Sequence, residues 1–190
     1  RRPLDPWVAA GLGEPGLRRA VGLVLDNPDW LRLGGRAVVV LRAAAEMGPL
    51  RSLLRWGATV AAVDLPRPDL WTRVLDDTAS SAGRLLVPAS PGTSPLAERA
   101  GVDLIAGLPT ATGWVCGLPG QLVVGNYVYA DAATNVRVST AVDAMTRIVR
   151  LARPDTALSF LATPTDVFAV PGEAVDASAR SYAQRRTSKV

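Results

Sequence analysis

The sequence predicts an α/β protein: a three-layer, doubly wound parallel sheet with a helical extension before it. Six short apolar segments alternate with segments of helical periodicity. The first apolar segment, Ala37–Leu41, is continuous, which is typical of a parallel strand buried on both faces. Right-handed crossovers then favour the strand order 3-2-1-4-5-6.

The domain organisation is predicted from composition and helix signals. Residues 1–33 form a helical lead-in, in which Pro15–Asp26 begins with proline and carries its apolar residues on one side. Residues 34–171 form the sheet domain, and residues 172–190 form a polar, basic tail. The chain begins with Arg rather than Met, and we expect it to be a fragment of a longer protein.

Each element of the sheet domain follows from a run of apolar residues or a helical pattern. The predicted strands are, in order, Ala37–Leu41, Thr59–Val63, Arg84–Pro88, Val102–Ala106, Gln121–Gly125 and Thr156–Ala162. Helices are expected at 49–56, Asp69–Thr78, Leu96–Ala100 and Thr134–Leu151, with a short helix or a loop at Thr110–Leu118.

Composition excludes several kinds of chemistry. The chain has no histidine, so it can supply neither a Ser-His-Asp relay nor a histidine metal ligand. Its single cysteine, Cys116, excludes an internal disulfide and a cysteine-cluster zinc site, so no metal is expected. One cysteine also fits the cytoplasm or another reducing compartment.

The pattern of charged residues indicates which classes of partner to expect. The net charge is +4, with 20 Arg and one Lys scattered along the chain. Few aromatic residues accompany them, so nucleic acid is not an expected partner. The chain has no run of about 18 apolar residues, so no membrane segment is predicted. Expected partners are a small-molecule nucleotide cofactor and further copies of the chain, in a homo-oligomer or larger assembly.

A doubly wound sheet binds ligands beyond the carboxyl ends of its strands, where the strand order reverses. This rule selects five segments without assuming any reaction: Arg42–Gly48, Asp64–Arg67, Ala106–Pro109, Asn126–Asp131 and Thr163–Asp166.

The first strand, turn, helix and second strand have the layout of a dinucleotide-binding βαβ unit. The turn supplies the candidate cofactor-binding residues Arg42, Ala44, Glu46, Met47 and Gly48. Such a turn favours glycine, yet only Gly48 is present. Either Arg42 adds charge to a phosphate, or its side chain fills the space that a pyrophosphate would occupy.

The ends of the second and last strands supply further cofactor candidates. Asp64 and Leu65 are suitably placed for a ribose contact, although aspartate is common at strand ends. Arg67 lies close enough to meet a 2′-phosphate, so the expectation is NAD or NADP. Thr163 and Thr165 could contact a nicotinamide carboxamide, or they could form an ordinary proline turn.

Asn126, Tyr127 and Tyr129 follow the fifth predicted strand and are the catalytic candidates. A tyrosine could donate a proton to a carbonyl, with Asn126 positioning substrate or water. The other interpretation makes all three residues packing and hydrogen-bonding groups at a strand end.

These features resemble the Rossmann domain of short-chain dehydrogenases/reductases over residues 36–170. The resemblance implies NAD(P) at the first turn, an acidic residue after the second strand, a cofactor-binding loop after the last strand, and tyrosine followed by lysine four residues later. Asp64 and the last loop match. The lysine does not, because Asp131 follows Tyr127 and Ala133 follows Tyr129.

Three phrases, EMGPLRSLLRWGATVAAVDLPRP, GNYVYAD and LATPTDVFAVP, are also similar to an uncharacterised group of longer Rossmann-type proteins. Three functions stay open. The first is an NAD(P)-linked oxidoreductase-like domain with a degenerate glycine turn. The second is a non-catalytic interaction or structural subunit. The third is an S-adenosylmethionine-dependent methyltransferase.

Overall fold

The computed structural model describes residues 4–161 and 171–184. The chain divides into two compact units. The larger unit spans Leu31–Leu161, and the smaller combines Arg1–Trp30 with Ala162–Val190. The domain boundaries predicted at residues 33 and 171 stay predictions.

The smaller unit holds three helices in its described part: α1 (Leu4–Ala9), α2 (Pro15–Asp26) and α8 (Gly172–Ala183). Two exposed ion pairs join them. Arg18 pairs with Asp5 of α1 at 2.6 Å, and Arg19 pairs with Glu173 of α8 at 2.5 Å. Exposed pairs of this kind contribute little stability, so they position these helices more than they stabilise them. A short 3-10 turn follows α2 at Pro28–Leu31.

The larger unit alternates strands and helices, as the sequence pattern predicts. Its strands are β1 (Arg36–Leu41), β2 (Thr59–Val63), β3 (Arg84–Leu86), β4 (Gln121–Asn126) and β5 (Ala157–Phe160). Its helices are α3 (Leu50–Arg55), α4 (Pro68–Thr78), α5 (Leu96–Arg99), α6 (Leu108–Cys116) and α7 (Ala132–Ala152).

All strand pairs of the sheet are parallel, and the order is β3-β2-β1-β4-β5. The predicted doubly wound parallel α/β fold is therefore confirmed. The order reverses between β1 and β4, which makes the carboxyl ends of these two strands the switch point. Leu41 at the end of β1 is level with Val63 of β2 and Asn126 of β4.

The predicted strand at Val102–Ala106, and with it the sixth position of the order 3-2-1-4-5-6, is wrong. This segment forms a turn in which Asp103 Oδ1 accepts the backbone N–H of Ile105 at 2.7 Å. A short aspartate side chain that bonds to the backbone competes with strand pairing. The strand was predicted because the neighbouring residues are apolar. The predicted fifth and sixth strands are β4 and β5.

Alternating residues of the central strands fill two cores. One core lies against α6 and α7 and includes Val39, Leu41 and Met145. The other lies against α3 and α4 and includes Val38, Val40 and the fully buried Trp71. Burial on both faces explains the continuous apolar run of β1. None of the helices in the described ranges is long and apolar enough to cross a membrane.

Candidate functional site

A cavity of about 600 Å³ opens at the carboxyl edge of the sheet, and we name it the switch-point cavity. Its walls come from the ends of β1 and β2, the turn 102–105, the loop after β4 and the first turns of α7. This volume lies in the range of small-molecule sites. The lining residues are Arg42, Val63, Asp64, Leu65, Val102, Asp103, Leu104, Ile105, Val128, Tyr129, Ala130, Asp131, Thr134, Arg137 and Val138.

Arg42 links the two strands that diverge at the switch point. Its guanidinium donates a hydrogen bond to the backbone carbonyl of Tyr129, in the loop after β4. Its own backbone N–H donates to the carbonyl of Val63 at 2.8 Å. The side chain therefore extends from the end of β1 to the loop after β4, along the wall of the cavity.

Asp64 joins the first turn to the end of β2. The residue is 9% exposed, and its carboxylate Oδ2 accepts the backbone N–H of Ala44 at 2.9 Å. Oδ1 accepts the N–H of Leu65 at 2.8 Å. A carboxylate has about four lone-pair directions, so each oxygen retains capacity for one further donor. Asp64 therefore organises the turn in addition to lining the cavity.

Backbone strain is concentrated beside this cavity. Within residues 4–161 and 171–184, two residues other than glycine have positive φ: Arg42 at 64° and Ala132 at 47°. Arg42 lines the cavity, and Ala132 lies between its lining residues Asp131 and Thr134. Residues with side chains rarely adopt this conformation, and such outliers cluster at functional sites.

The turn 102–105 forms an apolar wall that closely approaches the end of β2. Val102 N–H donates to the carbonyl of Asp64 at 2.8 Å. Gly101 makes this approach feasible, because its φ is 104° and an added Cβ would lie 2.5 Å from Nε1 of Trp71. That Nε1 donates to the carbonyl of Leu65 at 2.9 Å, so the buried indole holds the loop after β2.

Most of the residues that line the cavity were not predicted as site residues, and two of them, Arg137 and Asp103, are charged residues outside the five predicted segments. Arg137 projects from α7, and among the described residues no carboxylate pairs with its guanidinium. Asp103 lies in the turn that was predicted as a strand. Arg137 has a sequence signal: it lies one helical turn after Thr134, near the start of the helix that follows a switch-point strand.

The predicted cofactor residues of the first turn separate onto two faces. Arg42 lines the switch-point cavity, whereas Ala44, Glu46 and Gly48 line a different cavity of about 390 Å³, beside Arg51 and Arg73 of α3 and α4. Met47 is 82% exposed. Leu65 joins Asp64 in the switch-point cavity. Thr163 and Thr165 lie outside the described residues.

The three catalytic candidates also separate. Tyr127 folds back over β4, so that a Cβ added at Gly125 would lie 2.6 Å from its Cε2, and its ring packs against the core beside α3 and α4. Asn126 Oδ1 accepts the N–H of Val128 at 3.1 Å. Of the three, Tyr129 alone lines the switch-point cavity, with 69% of its surface exposed.

The fold defines the class of protein: a Rossmann-like α/β domain with a ligand-sized cavity at its switch point. No protein-family model matches the chain, and neither a curated protein nor a solved structure matches it. In the described part of the chain, no three His, Cys, Asp or Glu residues group so as to hold a metal ion.

Proposed function

We propose that the switch-point cavity binds a nucleotide, and that this nucleotide is NAD or NADP if the protein is an oxidoreductase. One observation carries the proposal: about 600 Å³ of space opens where β1 and β4 diverge, with Arg42 and Asp64 on its wall. In doubly wound sheets this position is where nucleotides bind.

The walls offer separate contacts for the parts of a nucleotide. Leu65, Val102 and Ile105 give an apolar surface for a flat base. Asp64 lies next to that surface and retains lone pairs for ribose hydroxyls. Arg42 and Arg137 supply guanidinium groups for phosphate oxygens, which arginine binds with matched, bidentate geometry.

Phosphate binding at Arg42 requires an exchange of hydrogen bonds. The guanidinium now donates to the neutral carbonyl of Tyr129. A phosphate oxygen is a stronger acceptor, because charge-assisted hydrogen bonds are about twice as strong as neutral ones. The guanidinium is therefore expected to leave the carbonyl when a phosphate occupies the cavity.

A reductase of the short-chain type needs a proton donor at the reacting carbonyl, and Tyr129 is the tyrosine that reaches the cavity. Its hydroxyl would give its proton to the substrate oxygen. Arg42, Asp64 and Arg137 would hold a bound NAD(P), which would supply the hydride chemistry. Tyr127 has instead the role of packing over Gly125.

Calorimetric titration with NAD, NADP and S-adenosylmethionine tests the proposal. We expect one of the two dinucleotides to bind, and Arg42→Gln to weaken that binding about tenfold, through loss of one charge-assisted contact. Arg147→Gln is the matched control, because Arg147 is exposed on α7 and makes the same charge change away from the cavity. Binding of S-adenosylmethionine alone would favour the methyltransferase instead.

A second candidate, a non-catalytic subunit that assembles with other chains, rests on a specific observation. Arg42 is already bonded across the switch point, and both Asp64 oxygens already accept backbone N–H groups. Arg42→Gly separates the candidates, because glycine accepts a φ of 64° and removes the guanidinium. If wild type binds no nucleotide and this variant does, the site is a decayed one. If neither binds, the cofactor proposal fails.

A further inference from the structure

The charged side chains of the switch-point cavity are divided between two parts of its wall. The end of β2 and the turn 102–105 form one part, which we name the β2 half, and its charged lining residues are Asp64 and Asp103. The loop after β4 and the start of α7 form the other part. Arg137 lies there together with one aspartate, and Arg42 extends toward it through its bond to that loop. The β2 half is therefore negative.

The carboxylate of Asp103 is held in position by its own turn. Its Oδ1 accepts the backbone N–H groups of Ile105, at 2.7 Å, and Ala106, at 3.4 Å. Oδ2 accepts no hydrogen bond within the described part of the chain, so it retains its lone pairs for a ligand. Asp103 also lies beside Asp64, because the N–H of the preceding residue, Val102, donates to the Asp64 carbonyl at 2.8 Å.

The arginines closest in the chain to these two aspartates are already engaged. Arg67 is close to Leu65 of the cavity wall, but its guanidinium donates to Asp69 of α4. Nε bonds to Oδ1 at 3.3 Å and Nη2 bonds to Oδ2 at 2.6 Å, so two contacts fix the guanidinium and offset its charge. Arg99 donates to two loop carbonyls instead. Among the described residues, no guanidinium lines the β2 half.

This distribution of charge discriminates between two kinds of ribose. The hydroxyls of an unmodified ribose donate hydrogen bonds, which carboxylate oxygens accept. A phosphate group on the ribose carries a charge of about −1.5 to −2 at neutral pH and offers acceptor oxygens. In the β2 half it would meet the carboxylates of Asp64 and Asp103 without a free guanidinium to offset its charge, and such a juxtaposition of like charges is unfavourable.

We propose that Asp103 and Asp69 make the nucleotide site select an unphosphorylated ribose, so that it binds NAD and rejects NADP. This selection rests on the nucleotide site proposed above, and it names the cofactor and two residues that choose it. Asp103 repels a ribose phosphate directly. Asp69 is a positioning residue, because it acts by keeping Arg67 from such a phosphate.

Calorimetric titration with NAD and NADP, which differ by one phosphate group, tests the selection. We expect the wild-type protein to bind NAD at least about tenfold more tightly than NADP. Asp103→Asn should strengthen NADP binding about fivefold, because the amide removes the negative charge while its oxygen can still accept the Ile105 N–H. An unchanged affinity for NADP in this variant would overturn the role of Asp103.

Asp69→Asn tests the positioning role. It leaves Arg67 without its ionic partner and should strengthen NADP binding about threefold, a small effect because exposed ion pairs are weak. The affinity for NAD should stay the same. Asp76→Asn is the matched control, because Asp76 is exposed on the same helix and makes the same change of charge. In the double variant Asp69→Asn, Arg67→Gln, the gain in NADP affinity should be lost.

The outcomes separate this selection from the nucleotide site itself. If the wild-type protein binds NADP as tightly as NAD, or more tightly, the selection is overturned and the nucleotide site stands. Equal gains in NADP affinity in Asp69→Asn and Asp76→Asn would indicate a nonspecific effect of charge and would overturn the role of Asp69. Binding of neither dinucleotide would overturn the nucleotide site and the selection together.

Discussion

The two edges of the sheet differ in whether their charged side chains are already hydrogen-bonded. At the carboxyl edge, Arg42 and Asp64 are already bonded to backbone groups, and two residues hold strained backbone conformations. At the amino edge, Arg84 has no partner in the described part of the chain. The turn around Arg42 and Asp64 is therefore organised by its own hydrogen bonds, whereas Arg84 leaves its donors free. A phosphate that binds Arg42 must displace a hydrogen bond.

The largest predicted effect concerns the support of the carboxyl edge. Trp71→Ala removes a fully buried indole and the bond from its Nε1 to the Leu65 carbonyl, and should cost about 3–5 kcal/mol of unfolding free energy. Urea denaturation measures this cost. Trp56 is 55% exposed, so Trp56→Ala is the control and should cost less than about 1 kcal/mol. Equal costs for the two variants would contradict this role of Trp71.

Asp64→Asn tests whether the carboxyl edge depends on its carboxylate. The amide retains one acceptor oxygen, so one of the N–H groups of Ala44 and Leu65 loses its partner, at about 1–3 kcal/mol. Asp143→Asn, at an exposed position of α7, should change stability little. Thermal unfolding of both variants decides the matter, and an unchanged stability for Asp64→Asn would refute the organising role.

Arg153→Gln applies the same test to the amino edge. The guanidinium donates to the carbonyls of Cys116, Leu118 and Gly120, and its loss should cost about 1–2 kcal/mol in urea denaturation. Nucleotide binding at the opposite edge should stay the same. The exposed Arg150→Gln is the control. A loss of nucleotide affinity in Arg153→Gln would show that the two edges are coupled.

The smallest effect is a titration beside the carboxyl edge. A hydrogen bond from Arg67 holds the pKa of Asp69 below its ordinary value of 3.8. Because the folded carboxyl binds its proton more weakly than the unfolded chain does, its contribution to stability is present above that value and is lost as pH falls through the lowered pKa. Carboxyl ¹³C titration should show the pKa rising toward its ordinary value in Arg67→Gln, and an unchanged pKa would exclude this cause.

The fold was predictable because its signals are local. The apolar run of β1 and the periodic pattern of α7 each indicate an element without knowledge of its neighbours. The prediction was wrong at Val102–Ala106, where one aspartate turned an apolar run into a loop. The residues of the first turn were recognisable as a group, but their division between two cavities depends on which way each side chain points.

By itself the sequence determined the parallel α/β architecture and the absence of histidine, because these follow from periodicity and composition. It placed Val102–Ala106 across the switch point from the first strand, whereas in the structure β4 pairs with β1 there. The tertiary structure alone decided that Tyr129 lines the cavity while Tyr127 packs over Gly125. It also brought Arg36 and Arg84 to one edge. Such placements arise from contacts between residues far apart in the chain, and sequence spacing does not record those contacts.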